Sequence, residues 1–319
     1  MLAPMAGYTD RAMRCVCSSF GAEYSVTEMV SAKAVVFGDK KTFNLARIRG
    51  DEGKVALQMF GSEPDVMAKA AEILSKGYSA CEYVAPVAID INMGCPVNKI
   101  FSNGEGSALM KNPELIYKIV KAVFGASDLP VTVKIRSGID EKSINAVECA
   151  IAAESAGAKM VCVHGRTRTQ LYGGKVDREI IKNVKNSLQI PVIANGDIVD
   201  SASALSMLRD TGADGIMIGR GAVGNPFIFK EVLMALEGET CSLPTLEEKI
   251  NAALLELKLA VEDKGEGMAI PEARKKIALY FKGFRGSAQL RAGINCATTY
   301  AEAERLILSL LSSNVESEQ

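Results

Sequence analysis

The sequence predicts an α/β protein: a (β/α)8 barrel over residues 1–238, followed by a small helical domain over residues 245–319. Three observations lead there. Short, apolar, β-rich segments recur eight times and alternate with helical stretches, over about 230 residues, where such barrels typically run near 250. Several segments are continuous apolar runs without alternation, as expected of strands buried on both faces. Strand signals then stop at Gly238–Pro244 (GETCSLP), a polar stretch beyond which only helical periodicity remains. An open doubly wound sheet is the alternative; eight regular units favour closure.

The expected strands are Leu2–Met5, Tyr24–Thr27, Val55–Met59, Ala88–Ile91, Val131–Ile135, Met160–Val163, Pro191–Ala194 and Gly215–Ile218. Between them, Pro64–Leu74 carries Val66, Ala70 and Ile73 at helical spacing, and Pro113–Val123 carries Leu115, Ile119, Val120 and Val123. Ser201 reads as the cap of a helix to Leu208. After the boundary, Thr245 with Glu248 forms a capping-box pattern, and Leu246, Ile250, Leu254, Leu257 and Val261 make an apolar stripe. A loop is expected at Lys264–Met268, a second helix from Pro271 and a third over Tyr300–Leu311, with Ser312–Gln319 frayed.

Composition excludes several functions. Lys+Arg 37 against Asp+Glu 38 gives net −1, so the chain as a whole is not a polycation. The single histidine, His164, rules out a metal site needing two His ligands, and no metal is expected. Eight cysteines include no C-x-x-C pair, which argues against a zinc ribbon or thioredoxin-type motif. No signal-peptide pattern opens the chain, and no apolar run approaches the ~18 residues of a membrane helix. A reduced, cytoplasmic, monomeric protein is the expectation.

In this fold functional groups stand at the C-terminal strand ends. Those ends read Pro4-Met5-Ala6-Gly7, Gln58, Asn92, Lys134 with Arg136, His164 with Arg166, Asn195-Gly196-Asp197 and Gly219-Arg220-Gly221. Polar loops alone would explain Asn and Gly, but not a Lys within Val131-Thr-Val-Lys-Ile135, which needs an anion or a shift toward neutrality. The Gly-rich segments after strands seven and eight suit a mononucleotide phosphate, with Arg220 adding charge. Gly219–Gly224 also matches G-x-G-x-x-G, but it follows the last strand, and Asn225-Pro226 interrupts the helix start. Cys95, in Asn92-Met-Gly-Cys-Pro96, stands on this rim, and a thiol mostly protonated at neutral pH suits a general acid. Cys15, Cys17, Cys149 and Cys162 read as packing residues. His164, beside Arg166 and expected opposite Lys134 across the barrel mouth, suits an anion or cofactor cradle. Without a G-x-S-x-G elbow, hydrolase chemistry is not expected.

Taken in order, Leu2-Ala-Pro-Met-Ala-Gly-Tyr-Thr-Asp10, Gln58-Met-Phe-Gly61, Asp90-Ile-Asn-Met-Gly-Cys-Pro96, Gly104–Leu109, Val133-Lys-Ile-Arg136, His164-Gly-Arg-Thr-Arg168, Asn195-Gly-Asp-Ile198 and Gly219-Arg220 resemble the tRNA-dihydrouridine synthases. Arg274-Lys-Lys276 and Tyr280–Phe284 are similar to the helical domain of bacterial members. The resemblance implies a tightly bound FMN, NADPH as reductant and a tRNA uridine as substrate. It implies that Pro4, Met5 and Ala6 lie along the flavin ring, that Gln58 and Lys134 contact its polar edge, and that His164 lines its side of the site. Asn195, Gly196, Asp197, Gly219 and Arg220 would hold its ribityl chain and phosphate. Asn92 would orient the uracil, with Arg166 also on the substrate side. Hydride would pass from flavin N5 to uracil C6, and Cys95 would protonate C5.

The target base must then leave its stack, and the helical domain is expected to clamp the RNA. From Glu272 to Arg291 one acidic residue stands against six basic ones, net +5. The basic cluster, with Arg274, Lys275, Lys282 and Arg285, is expected at phosphates, while Tyr280, Phe281 and Phe284 are expected in the domain core. The rivals are a flavin-dependent dihydroorotate or dihydropyrimidine dehydrogenase acting on a free base, and an inactive RNA-binding barrel. Three departures from the family stand out. Little chain precedes Leu2, which is expected to weaken barrel closure; Tyr78–Val87 is long; and Arg178 stands where Trp is common.

Overall fold

The structure, a computed structural model, describes residues 1–76 and 84–315. Its strands are β1 (Tyr24–Val26), β2 (Val30–Ser31), β3 (Lys54–Phe60), β4 (Ala88–Met93), β5 (Val131–Arg136), β6 (Met160–His164), β7 (Val192–Asn195) and β8 (Gly215–Met217). They form a parallel sheet in the order β1-β3-β4-β5-β6-β7-β8, with the short β2 paired to β3. Leu2 joins the two edges, bridging Ser25 on one side and Ile218 on the other. Its N–H donates to Tyr24 O and the Ala3 N–H to Ile218 O, both at 2.8 Å. The expected strand Leu2–Met5 is thus reduced to one bridging residue, because Pro4 brings no N–H to a ladder and the chain turns back at once, Tyr8 N–H to Met5 O at 2.9 Å. Closure is not weakened as expected, since Met1, Leu2 and Ala3 together are hydrogen-bonded along both edges.

The barrel interior follows from the strand period of two. Ala3, Val26, Ala56, Ala88, Cys162, Ile193 and Met217 fill one apolar layer. Two residues further along their strands, on the same face, stand Gln58, Asp90, His164, Asn195 and Gly219. The apolar layer seals the bottom, and the next layer, apart from Gly219, is polar and lies on its C-terminal side. Outside, Pro64–Ser75 and Pro113–Ala126 begin with Pro in the first turn, where its missing N–H costs nothing. The helix Ser201–Thr211 is capped not by Ser201 but by Asp200, which accepts from Ser203 N–H at 2.7 Å in a reciprocal box. Arg178 donates to Ser206 at 2.6 Å and pairs with Asp210, tying two neighbouring outer helices. The long stretch Tyr78–Val87 lies largely outside the described residues.

Among the described residues, no strand follows β8 and no helix is long and apolar enough to cross a membrane. The C-terminal helices are Leu246–Lys264, Glu266–Tyr280, Ser287–Cys296 and Tyr300–Val315. Thr245 and Glu248 form the expected capping box. The expected loop Lys264–Met268 is a single residue, Gly265, with φ +75°, and Pro271 lies inside the second helix rather than opening it. Burial of Ala269, Ile270, Ala273 and Ile277 outweighs the one backbone bond that Pro271 forfeits. Tyr280 and Phe281 are core residues as expected, whereas Phe284 is half-buried outside that core, with the Lys249 ammonium 5.2 Å from its ring centroid.

A buried ionic network joins these helices to the barrel. Asp10 caps the helix Arg11–Ser19 through Met13 N–H at 3.1 Å and accepts from Lys264 Nζ at 2.7 Å and Lys276 Nζ at 3.1 Å. Lys276 also pairs with Glu256 at 3.0 Å, and Glu256 accepts from the Tyr280 hydroxyl at 2.6 Å. Lys276 is 3% exposed, so it takes no part in the basic surface counted from the sequence. Burial opposes its charge, but Glu256 and Asp10 outweigh that and hold its ammonium above the usual range. Burial alone would raise the Asp10 carboxyl, yet Lys276 and Lys264 bring it down to about 2. At Gly224, φ +68°, a Cβ would come within 2.6 Å of Leu279, so the end of the barrel needs glycine to meet the helices closely.

Removing one member of a buried pair strands its partners. Lys276→Met is expected to lower unfolding free energy by about 3–5 kcal/mol, measured by urea denaturation; a loss below about 1 kcal/mol would contradict the network's role. The Asp10 contribution is present above its ordinary pKa of 3.8 and lost as pH falls toward about 2. Asp10→Asn should flatten the stability curve in that window.

Candidate active site

The polar layer of the barrel forms one connected arrangement. Thr132 donates to Asp90 Oδ1 at 2.5 Å, and Gln58 Nε2 donates to Asp90 Oδ2 at 2.7 Å. Gln58 Oε1 accepts from Asn92 Nδ2 at 2.9 Å. Asn92 Oδ1 accepts from the Cys95 N–H at 2.9 Å and the Gly94 N–H at 3.2 Å. A chain of hydrogen bonds therefore runs from the buried strands to the backbone of Cys95. Behind it, the Cys95 carbonyl accepts from the Ser107 hydroxyl at 2.7 Å, and Arg136 Nε donates to Gly94 O at 2.8 Å. Cys95 is 9% exposed. Burial pushes its thiol up, against the smaller pull of the Val97 N–H and the Arg136 charge, so it holds its proton at neutral pH.

A second group of side chains comes from β5 to β8. Lys134 Nζ donates to Asn195 Oδ1 at 2.9 Å, and Asn195 Nδ2 donates to Met217 O at 2.7 Å. Burial lowers the Lys134 pKa. His164 is on β6, directly beside β5, so Lys134 is its neighbour and does not face it across the mouth as expected. Burial, then the charges of Lys134, Arg136, Arg166 and Arg220, push the imidazole down to about 2, leaving it neutral. Gly196 has φ +120°, and a Cβ there would lie 2.4 Å from Val176 and 2.9 Å from His164; no larger residue fits. Arg220 opens a short 3-10 turn, Arg220–Ala222, and lies 4.7 Å from the Tyr172 ring centroid.

The structure brings Gln58, Asn92, Cys95, Lys134, His164, Asn195, Gly196, Asp197, Gly219 and Arg220 to one rim, with Pro4, Met5 and Ala6 on the loop that closes it. Met5 meets Gly219, whose Cβ position is 3.5 Å from the Met5 sulfur. Arg166 is turned otherwise than expected. It is 2% exposed in its side chain, donates to Gly173 O at 2.9 Å and Gly174 O at 2.7 Å, and pairs with Asp197 at 2.8 Å. It holds a loop and a carboxylate rather than a free substrate position. Arg274 likewise donates to Ala297 O at 2.9 Å and ties helices together, whereas Lys275, Lys282 and Arg285 are exposed. Lys275 reaches the barrel, 4.6 Å from the Tyr8 ring centroid.

Sequence reasoning gave no role to two supporting residues, Asp90 and Glu28, and gave Arg136 only a place on the rim. Asp90 is a carboxylate inside an apolar strand, which is itself a signal. Arg136 also donates to Thr167 O at 2.8 Å and Leu171 O at 3.0 Å, fixing two loops at once. Glu28 accepts from the Gly7 N–H and so anchors the closing loop.

A parallel barrel with a protonated thiol and a cation-rich rim at its C-terminal mouth defines an enzyme of the (β/α)8 class. The family model described as "Dihydrouridine synthase (Dus)" matches residues 1–316. A probable tRNA-dihydrouridine synthase of Rickettsia conorii is 41% identical over 297 residues, 92% of this chain and 88% of that protein. The tRNA-dihydrouridine synthase B of Shewanella oneidensis is 40% identical over 308 residues, 96% of this chain and 93% of its own. The chain belongs to the dihydrouridine synthase family.

Because the chain has one histidine, its titration is directly readable. The His164 imidazole resonances should not move between pH 8 and pH 5; a midpoint near the ordinary 6.5 would contradict the cationic cluster around it.

Proposed function

We propose that the chain reduces uridines of tRNA to dihydrouridine, using FMN and taking its electrons from NADPH. The observation that carries the reading is the pairing, at one barrel mouth, of a thiol held protonated with a rim whose positive charge exceeds its negative charge. The residues present fit a phosphorylated, redox-active ring. Lys134, Arg136, Arg166 and Arg220 surround His164, and the Arg166 Nη1 is buried without a hydrogen-bond partner among the described residues. At the same rim Gly219 has room beside Met5, whose sulfur lies 3.5 Å from its Cβ position, while Gly196 packs directly against His164. In this reading Pro4, Met5 and Ala6 lie along the ring, Gln58 and Lys134 at its polar edge, and Asn195, Gly196, Asp197, Gly219 and Arg220 at the chain and phosphate.

Bound FMN supplies the hydride equivalent that adds to C6 of the uracil. The protein's own part is proton delivery and positioning. Cys95 keeps its proton until C5 needs it, then becomes a thiolate beside Arg136, and its small exposure to solvent allows reprotonation. Asn92 holds the Cys95 backbone, and in this reading it also orients the uracil. Lys134 places a fixed positive charge where negative charge builds during the reduction. Neutral His164 adds a hydrogen-bonding edge without adding charge. A base can reach this rim only after it has left its stack, so the RNA must be held outside; Lys275, Lys282 and Arg285 are exposed cations suited to its phosphates.

Cys95→Ala should keep the flavin spectrum and its bleaching by NADPH, yet lose uridine reduction by roughly 10²–10⁴-fold, the usual worth of a positioned general acid. Normal turnover by that variant would overturn the thiol's role. Reduction of free uridine as fast as tRNA would overturn the substrate.

A further inference from the structure

A second cationic surface lies at the mouth, on the barrel itself. The short helix Asn98–Ser102 follows Cys95 and carries Phe101. The Arg168 guanidinium stacks 3.7 Å from the Phe101 ring centroid, and the Lys111 ammonium lies 4.4 Å from it. Arg168 reaches this point over the end of β5, its backbone N–H donating to Gly138 O at 2.9 Å and its Nη2 to Asn98 Oδ1 at 2.7 Å. Its Nε is buried without a hydrogen-bond partner among the described residues. Lys99 and Lys111 are exposed close by. Among the described residues, neither they nor Arg168 has a carboxylate within ion-pair distance.

Cations sharing one aromatic ring repel one another, and a cation–π contact offsets about 0.5–1 kcal/mol at an exposed site. What the ring provides is fixity: two charged heads held at one place on the short helix that follows Cys95. The other side of the mouth repeats the device, with Lys275 held over Tyr8 next to Gly7. Counting round the closed ring from Leu2 through β1, β3 and β4, β5 stands four places on, so the two clusters face each other across the opening.

We propose that Phe101, Arg168, Lys111 and Lys99 form a backbone-phosphate site for the RNA strand, on the opposite side of the target nucleotide from Lys275. The RNA is then held at both ends of its span across the mouth, and the helical domain supplies only one of them. The contact is to phosphate and carries no base preference. This inference rests on the proposed tRNA reading.

The test is the affinity of the flavin-loaded protein for an unmodified tRNA transcript as a function of salt. The pair Arg168→Ala with Lys111→Ala should weaken binding roughly tenfold near 0.1 M salt and lower the slope of log affinity against log salt by about one per lost contact. Lys118→Ala, on the outer face of a barrel helix, should change neither. An unchanged affinity and slope in the pair would overturn the site. A raised KM for NADPH with unchanged tRNA affinity would also overturn it, giving these cations to the dinucleotide instead. Should the Arg168 variant melt early, Lys99→Ala with Lys111→Gln, both exposed, gives the same decision. If the unsubstituted protein binds no tRNA, the functional reading fails, not this site alone.

Discussion

Positive charge gathered in a partly buried place is the constraint on which the rest of the structure depends. Lys134, Arg136, Arg166 and Arg220 converge on a neutral His164. The carboxylate set among them is Asp197, 2.8 Å from Arg166 and 3.9 Å from Arg220. Asp90, a buried acid nearby, is turned to Gln58 and Thr132. Such an arrangement is costly unless an anion completes it. The fold pays attention to little else at this rim: backbone carbonyls of Gly94, Thr167, Leu171, Gly173 and Gly174 are recruited to hold Arg136 and Arg166 in place. The same guanidinium that steadies Gly94 also faces the Cys95 thiol, so charge and acid are set by one scaffold.

The barrel and the C-terminal helices meet through ions rather than through apolar packing alone. Asp10 ends the loop that begins with Pro4, and it is held by Lys264 and Lys276 from two different helices. Lys275, one residue before Lys276, extends instead over Tyr8. Neighbouring lysines therefore do opposite work: one is buried and locks the seam, the other stays in solvent at the mouth.

Much of this was legible in the sequence because it is local. Continuous apolar runs mark β3 to β8, and the residues just beyond them mark the rim. What was not legible depends on partners far apart in the chain. Charge counting placed Lys276 on an RNA-binding surface, but its acids are Asp10 and Glu256, which no local pattern links to it. Arg166 reads as an exposed strand-end cation until the loop at Gly173 and Gly174 folds back over it. Pro271 is a good helix opener by its missing N–H, yet buried neighbours on both sides carried the helix back to Gly265. The helix Ser287–Cys296 holds only Leu290 and Ile294 in the core, too few positions for a visible stripe. Leu2 lacks the length of a strand, and its closing role comes only from having an unpaired edge on each side.

The most direct test of the central claim is an anaerobic one. The purified protein, loaded with FMN, is bleached with one equivalent of NADPH and then given either unmodified tRNA or free uridine while the visible spectrum is followed. The account predicts rapid return of the oxidised flavin band with tRNA and little with uridine. A protein that binds no flavin, or whose reduced flavin is reoxidised equally by both, would contradict it.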